Sequence, residues 1–218
     1  MSIDVYWARG CAFSWRVLLT LELKGLAWTG HELQLDFQEQ KAPRMLAMNP
    51  RGRVPVLRDG DYVVFESLAV MYYLDLKYPA PPLFGHSPEE AGVVMRVINE
   101  FQAYTEAELL GIVDWVHRPR PGRGEALTHA MHLVAAEART IESRLAKGDW
   151  IVGETVSAAD LAIYPCIRLL HQALMLPAAG ELSARFLPAQ VHYPRLAQWM
   201  QRIEGLPGFQ RTASVDAK

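Results

Sequence analysis

The N-terminal third of the chain alternates between short apolar runs and a longer segment with helical spacing. Residues 3–7 (IDVYW) have the composition of a strand, and residues 13–24 repeat apolar positions at the interval of an amphipathic helix. Gly25 follows as a stop signal, because glycine readily adopts the left-handed conformation that ends helices. Residues 31–36 (HELQLD) alternate polar and apolar positions, which predicts a half-buried strand. The chain therefore begins with a predicted β-α-β unit.

A hairpin and a helix complete this part of the sequence. Residues 54–57 (VPVL) and 62–65 (YVVF) are apolar runs on either side of the Asp59-Gly60 pair, which is typical of a tight hairpin. Ser67 then begins a helical pattern that continues to about Tyr78. Because a β-α-β unit implies a parallel pair with a right-handed crossover, the hairpin adds an antiparallel edge. Residues 1–79 are predicted to form a small α/β domain.

The rest of the chain shows only helical patterns. Residues 80–88 (APPLFGHSP) have the composition of a linker. After them, residues 176–191 have no clear periodicity, whereas four segments have helical spacing: 89–117, 125–146, 157–175 and 192–204. We therefore predict that residues 89–218 form a larger all-α domain.

Composition and charge exclude several classes of protein. The 218 residues correspond to one large or two modest domains, at roughly 150 residues per domain. The 22 basic and 24 acidic residues leave a formal charge of −2, so we expect neither nucleic acid nor a membrane surface as a partner. Asp4 lies where a signal peptide would be basic, and no apolar run reaches the ~20 residues of a membrane span. Two cysteines do not make a disulfide framework, so we expect a cytoplasmic protein.

Cys11 is the first candidate for chemistry, because it lies between the predicted first strand and first helix. A helix N-terminus stabilises a thiolate and so makes the sulfur nucleophilic at neutral pH, and Arg16 adds positive charge one turn further on. The alternative is a small buried cysteine that only packs. The Cys-x-x-Ser spacing to Ser14 lacks a second thiol. Any disulfide chemistry must then be completed by an external thiol.

Two further positions have the character of a ligand site. Pro55 falls inside a predicted strand, where proline requires an edge, a bulge or a cis bond, and an edge at Val54 has backbone groups that can pair with an extended peptide. The simpler interpretation is a proline that starts an edge strand. Ser67 is a good N-cap at a helix N-terminus, which binds carboxylates, and Glu66 beside it suits an ammonium group. Helix capping alone also explains this pair.

In combination these residues resemble a known family. Residues 49–57 (NPRGRVPVL) followed by residues 65–67 (FES), after a β-α-β pattern, resemble the thioredoxin-fold half of cytosolic glutathione transferases. Residues 157–165 (SAADLAIYP) resemble the family's N-capping box, with Ser and Asp at the N-cap and N3 spacing. Residues 193–209 resemble its closing helix. The resemblance implies an α/β thioredoxin-like N-terminal domain followed by an all-α helical-bundle domain.

The resemblance also implies roles for individual residues. Val54 would pair its backbone with the cysteinyl part of glutathione, beside a cis Pro55. Glu66 and Ser67 would hold the γ-glutamyl ammonium and carboxylate groups, and Lys41 the glycine carboxylate. Glutathione is then a co-substrate. The family likeness further implies a homodimer formed through the third helix of the first domain and the first helices of the second.

The class within the family depends on residues 11–17. Residues 11–14 (CAFS) are similar to the Cys-Pro-Phe-Ala motif of omega-class enzymes, with alanine in place of proline, which implies thiol transfer, deglutathionylation or glutathione-dependent reduction by Cys11. Residues 14–17 (SWRV) also resemble zeta-class isomerases. Tyr6 and Ser14 stay open as hydroxyl donors for a conventional conjugating, isomerising or dehalogenating transferase. A non-enzymatic regulatory or binding module is the third interpretation.

The second substrate is expected to meet an apolar wall near the first helix and the start of the α domain. The candidates are aromatic: Phe13, Tyr104 and Trp115 first, with Phe101 and Tyr164 after them. Aromatic residues at helical spacing are more often core, which is the alternative. The seven histidines include no pair with zinc-site spacing and a third ligand, so we expect no metal.

Overall fold

A computed structural model describes residues 3–122 and 124–212, which divide into two compact units. The first unit contains residues 3–83 together with residues 206–212, and the second contains the described residues between 84 and 205. This division differs from the predicted one, in which residues 89–218 all belong to the α domain. The end of the described chain packs with the first unit because helix residues 12–23 bind it, as detailed below.

The first unit is built on a four-stranded mixed sheet. Its strands are β1 (Ile3–Trp7), β2 (Trp28–Glu32), β3 (Val56–Asp59) and β4 (Tyr62–Phe65), in the order β2-β1-β3-β4. β1 and β2 run parallel, whereas β3 is antiparallel to both β1 and β4. Gly60, at φ +62°, makes the turn between β3 and β4. This topology confirms the predicted thioredoxin-like arrangement.

Three helices accompany the sheet: α1 (Ala12–Leu23), α2 (Pro43–Met48) and α3 (Ser67–Lys77). The first and third follow the predicted order, whereas no helix was predicted at α2. α1 packs against α3. The end of α1 is set by Gly25, at φ +63°, whose N–H donates to the carbonyl of Glu22 while the N–H of Leu26 donates to that of Leu21. These two bonds satisfy carbonyls that the helix itself leaves open, so the predicted stop is confirmed.

The second strand is not where the alternation of residues 31–36 predicted it. The structure has β2 at Trp28–Glu32, and Leu35–Phe37 forms a 3₁₀ turn. Leu33 is buried beside β1, with its N–H on the carbonyl of Trp7, but Leu35 is exposed. The apolar alternation therefore does not mark one face. Pairing with β1 decides the register instead, and β2 is an edge strand with little buried side chain.

The second unit is helical throughout its regular structure. Its helices are α4 (Pro88–Phe101), α5 (Ala107–His117), α6 (Gly124–Leu145), α7 (Ala158–Leu174), α8 (Ala189–His192) and α9 (Pro194–Glu204). The predicted segment 89–117 is divided by a π-helical turn at Gln102–Glu106, and the unassigned segment 176–191 contains a 3₁₀ stretch at Pro177–Arg185. α5 packs on α6 and α7, and α9 packs on α6. This unit matches the predicted all-α domain.

None of the helices within the described residues is, by itself, long and apolar enough to cross a membrane. Two consecutive helical segments, Ala158–Leu174 and Pro177–His192, reach that length and apolar character only when they are taken together, and the chain bends by 119° between them.

The predicted linker, residues 80–88, is short, and several of its residues are buried or belong to the start of α4. Leu83 and Phe84 are buried, and α4 already begins at Pro88. Ser87 is the N-cap of α4, and its Oγ accepts the N–H of Glu90 at 3.2 Å. The proline-rich composition marks the boundary between the units, but the burial of Leu83 and Phe84 and the cap at Ser87 fix most of this stretch.

Candidate active site

Cys11 is the residue at which α1 begins. Its backbone is extended (φ −103°, ψ 107°), and its carbonyl accepts the N–H of Trp15 at 3.0 Å, which starts the hydrogen-bond ladder of the helix. The first turn of α1 contains no acidic residue, so nothing in that turn opposes the positive end of the helix dipole. Cys11 is half-buried, whereas Cys166 is fully buried in α7. Of the two sulfurs, Cys11 is the one within reach of solvent.

Ser14 stands one turn into α1 with its side chain fully buried. Its Oγ accepts the N–H of Ala8 at 3.2 Å and so joins the first turn of α1 to the end of β1. This bond holds the loop that contains Cys11. The role of Ser14 as a hydroxyl donor to a bound sulfur stays a prediction.

Tyr6 lies near the end of β1 in a cluster with Leu33, Met45 and Val56. Its ring stacks on His31 at 4.7 Å. On the same strand, hydrogen bonds from His31 and Arg58 lower the pKa of Asp4. These contacts give the Tyr6 ring a packing role within the sheet. Its predicted role as a catalytic hydroxyl is not tested by them.

Arg16 connects α1 to the start of α3, a contact that the sequence pattern does not predict. The residue is 1% exposed, and its Nη1 donates to Ser67 Oγ at 3.3 Å. Its guanidinium carbon also lies 5.0 Å from the centre of the Phe13 ring. A buried cation therefore contacts both Ser67, at the N-terminus of α3, and Phe13, two residues after Cys11. Its position one turn after Cys11 was the available signal.

The segment before β3 is organised by a single buried amide. Asn49 Nδ2 donates to the carbonyl of Arg53 at 2.9 Å, and its Oδ1 accepts the N–H of Arg51 at 3.1 Å. Gly52, at φ +56°, completes this turn with its N–H on the Asn49 carbonyl. The turn leads into Val54, and the Val54–Pro55 peptide bond is cis, as the family likeness implied.

Glu66 and Ser67 differ from the predicted capping arrangement. Glu66, not Ser67, is the N-cap of α3, and it has a left-handed backbone (φ +68°) that is costly for a residue with a side chain. Ser67 is the first helical residue, and its hydroxyl accepts from Arg16. The Glu66 carboxylate is exposed and lies 3.9 Å from Arg51 Nε. Strained backbone of this kind clusters at functional sites, so Glu66 stays a candidate site residue.

Lys41 belongs to the same neighbourhood. Its Nζ donates to the carbonyl of Arg51 at 2.9 Å, and its side chain covers Gly52 so closely that an added Cβ would lie 2.6 Å from Lys41 Cδ. The structure thus brings together Lys41, the turn before cis-Pro55 and, through Arg51, Glu66. The side chain of Ser67 is linked to α1 by Arg16. These predicted residues lie in the first unit.

Known proteins with similar sequences identify the family. Residues 10–77 match the family profile of the glutathione S-transferase N-terminal domain, and residues 124–202 match that of the C-terminal domain. Glutathione S-transferase F10 of Arabidopsis thaliana is 34% identical over 160 residues, which cover 71% of this chain and 74% of the relative. The chain belongs to the glutathione S-transferase family. Glutathione S-transferase Z2 of the same plant is 28% identical over 211 residues, covering 94% and 86% of the two chains.

Solved structures of glutathione S-transferases agree with the fold. A serine-to-cysteine variant of poplar glutathione transferase F1 superposes with a TM-score of 0.81 at 20% identity, covering 99% of this chain and 98% of the other. Glutathione S-transferase-I bound to lactoylglutathione superposes with a TM-score of 0.79 at 25% identity, covering 98% and 99%. The first likeness, at this identity, concerns the fold alone.

The residues predicted for the acceptor of this glutathione S-transferase fall in both units. Phe13 is half-buried in α1, Tyr104 is 70% exposed in the π-helical turn, and Trp115 in α5 donates its Nε1–H to the Arg120 carbonyl at 3.4 Å. Phe101 and Tyr164 are buried and belong to the core of the second unit. For these last two the packing interpretation of an aromatic at helical spacing is the one that the structure favours.

In the part of this glutathione S-transferase that the structure describes, no three or more His, Cys, Asp and Glu residues are grouped as metal ligands would be.

Proposed function

We propose that this glutathione S-transferase transfers glutathionyl groups through the Cys11 thiolate. The observation that carries the proposal is the place of Cys11: a half-buried sulfur at the N-terminus of α1, in the same unit as the cis Val54–Pro55 bond and the strained Glu66. Helix N-termini stabilise thiolates, and a thiolate is the reactive form of cysteine. The resemblance of residues 11–14 to the omega-class motif supports the same chemistry.

Glutathione would be held by groups at three places in the first unit. The backbone of Val54 suits the extended cysteinyl residue, because main-chain groups next to the beginning of a strand can form hydrogen bonds with an extended peptide. Glu66 suits the γ-glutamyl ammonium group, and the Ser67 hydroxyl with the N-terminus of α3 suits its carboxylate. Lys41 suits the glycine carboxylate. Arg16 beneath Ser67 adds positive charge on the side where that first carboxylate would bind.

The reaction proceeds by two thiol–disulfide exchanges. The Cys11 thiolate attacks the glutathionyl sulfur of a mixed disulfide, so that a Cys11–glutathione disulfide forms and the acceptor leaves as a thiolate that takes a proton from water. A glutathione thiolate then attacks the glutathionyl sulfur on Cys11. Glutathione disulfide leaves and the Cys11 thiolate is restored. One free glutathione thiol is oxidised into glutathione disulfide and the acceptor sulfur is released as a thiol, so the number of disulfide bonds is unchanged and the electrons balance.

Replacing Cys11 with serine is expected to abolish this activity. A hydroxyl is far less acidic than a thiol and cannot form the mixed disulfide, so glutathione-dependent disulfide exchange should fall by at least about 100-fold. Wild-type protein treated with glutathione disulfide should gain the mass of one glutathionyl group, and Cys11→Ser should gain none.

Cys166→Ala is the matched control, because it removes the other thiol, which is buried in α7. It should keep the adduct and the exchange activity. Full exchange activity in Cys11→Ser would refute Cys11 as the nucleophile.

A conventional conjugating transferase is the second candidate, supported by relatives named glutathione S-transferase. Its thiolate would be stabilised by the hydroxyl of Ser14 or Tyr6. Aryl-halide conjugation that survives Cys11→Ser and is lost in Ser14→Ala or Tyr6→Phe would select this function. A binding module without activity would show neither reaction, although millimolar glutathione would still raise its melting temperature if the site binds.

We also propose that the protein is a homodimer, as family likeness implies. In the first unit, α3 exposes Tyr72 and Leu76, the latter 66% exposed, and in the second unit Val93 of α4 and Tyr104 are exposed. Exposed large apolar side chains on helices are typical of protein interfaces. Reduced glutathione as the co-substrate fits the expectation of a cytoplasmic protein.

Leu76→Glu should convert such a dimer to a monomer, because a carboxylate would be desolvated at the interface. Size-exclusion chromatography with light scattering measures the mass. Glu108→Gln, which adds no charge, is the control and should leave the mass unchanged. A wild-type protein of monomer mass at micromolar concentration would contradict the dimer.

A further inference from the structure

The last described residues return to the helix that begins at Cys11. Residues 206–212, here called the clasp, belong to the first unit and include the short helix α10 (Phe209–Thr212), which packs on α1. The second unit lies between them and the rest of the first unit in sequence. A segment so distant along the chain is therefore part of the surroundings of α1.

One end of the clasp binds the first turns of α1. Trp15 is completely buried, and its Nε1–H donates to Thr212 Oγ1 at 3.0 Å. The Thr212 hydroxyl in turn donates to the carbonyl of Phe209 at 2.8 Å, and the Phe209 ring lies 6.2 Å from the Trp15 ring. Because a buried indole N–H without an acceptor is costly, this bond ties the position of Trp15 to a docked clasp.

Two other residues of the clasp, Gly208 and Arg211, contact the last turns of α1. The buried Glu22 carboxylate accepts from Arg211 Nε at 2.6 Å and from Trp28 Nε1 at 2.8 Å. Gly208, at φ +77°, approaches it so closely that an added Cβ would lie 2.5 Å from Glu22 Oε2. The clasp thus bridges both ends of α1, with two kinds of contact that can be changed separately.

Trp15 connects the clasp to the reactive sulfur. Its backbone N–H forms the first hydrogen bond of α1, on the carbonyl of Cys11. We propose that the clasp positions Cys11. Its contacts with Trp15 keep the first turn of α1 helical, and this helical turn directs its backbone N–H groups at the Cys11 thiolate. Trp15 and Thr212 are then positioning residues for the transfer reaction, and this inference rests on the proposed function.

Thr212→Val and Gly208→Ala test the clasp at its two ends. The first removes the acceptor of the Trp15 indole at constant shape, and the second pushes a methyl group into Glu22. Alkylation of Cys11 by iodoacetamide is followed as a function of pH. We expect the alkylation rate near pH 7 to fall about threefold or more, because the helix end stabilises the thiolate less.

Thr140→Val is the matched control, since Thr140 makes a comparable local bond to the Ala136 carbonyl on α6. It should leave the profile unchanged. A chain ending at Gly205 removes the whole clasp and should show the full effect if it folds, as judged by circular dichroism; if it does not fold, the two substitutions decide. Unchanged profiles in folded variants would overturn the proposal. Alkylation involves no glutathione, so this failure is distinct from retained exchange activity in Cys11→Ser, which would overturn the proposed function.

Discussion

Asp160→Ala is expected to lower the free energy of unfolding by about 3–5 kcal/mol. The carboxylate of Asp160 is fully buried and accepts four hydrogen bonds. Its Oδ2 receives the N–H and the hydroxyl of Ser157, at 2.9 and 2.8 Å, and its Oδ1 receives the N–H of Ile151 and the indole N–H of Trp199, at 2.9 and 2.8 Å. Alanine would leave these donors buried without an acceptor, and would release α9 and the segment before α7 from the start of α7.

Urea unfolding monitored by circular dichroism measures this loss. Asp149→Ala is the control, because Asp149 is an exposed aspartate that also forms one ion pair, with Arg202. Its expected cost is below about 1 kcal/mol. A cost for Asp160→Ala as small as that of the control would show that the buried network contributes little.

The same site has an expected pH dependence. Burial raises the pKa of Asp160 above its ordinary value, although the hydrogen bonds it accepts act in the opposite direction. When the pKa of a group is raised by folding, its contribution to the free energy of unfolding is complete below the pKa that the group has in the unfolded chain. That contribution is lost as pH rises through the pKa of the folded state. The stability advantage of the wild type over Asp160→Asn should therefore decrease as pH rises above the ordinary aspartate value of 3.8. Unfolding curves of both proteins across a pH series that begins near that value measure it.

Lys24→Met is the second large expected effect, again a loss of about 3–5 kcal/mol. The Lys24 side chain is 0% exposed, and its ammonium group donates to Asp75 Oδ1 and to the carbonyls of Tyr78 and Pro81, each at 2.7 Å. Three acceptors match the three donors of an ammonium group. Asp75 also accepts the N–H of Leu83 at 2.8 Å. Methionine keeps the shape of the stem but leaves a buried carboxylate without this cation.

A double-mutant cycle separates the ion pair from packing. Asp75→Asn removes the charge that Lys24→Met would leave uncompensated, so the double variant should be more stable than the sum of the single losses predicts, by about 1 kcal/mol or more. Lys147→Met, at an exposed lysine, is the control and should change stability by less than about 0.5 kcal/mol. Strict additivity of the two losses would argue against a coupled pair.

Local signals in the sequence predicted several features well. The stop at Gly25, the hairpin at Gly60 and the Ser157–Asp160 pair each depend on residues within a few positions of one another. Their conformations follow from turn and capping chemistry that acts over that distance. The order of strands and helices likewise follows from periodicity. The cis Val54–Pro55 bond, which the family likeness implied, is present as well.

Other predictions failed because they needed information from distant residues. The β2 strand takes its register from β1, and Leu33 and Leu35 therefore do not share a face despite their alternation. The N-cap of α3 is Glu66 and not Ser67. Glu66 has a positive φ, which is unfavourable for a residue with a side chain and is not indicated by the neighbouring sequence. Arg16 was noted only for its charge one turn after Cys11, and only the tertiary fold brings it to Ser67.

The sequence by itself determined the fold class, the residue at which α1 ends, the cap at which α7 begins and the turn of the hairpin. Only the tertiary structure decided which strand register is used, where buried charges find their partners and which unit holds residues 206–212. The physical reason is range: capping and turn preferences act over a few residues, whereas Trp15 and Thr212, 197 positions apart, meet only when burial and hydrogen bonding act across the folded chain.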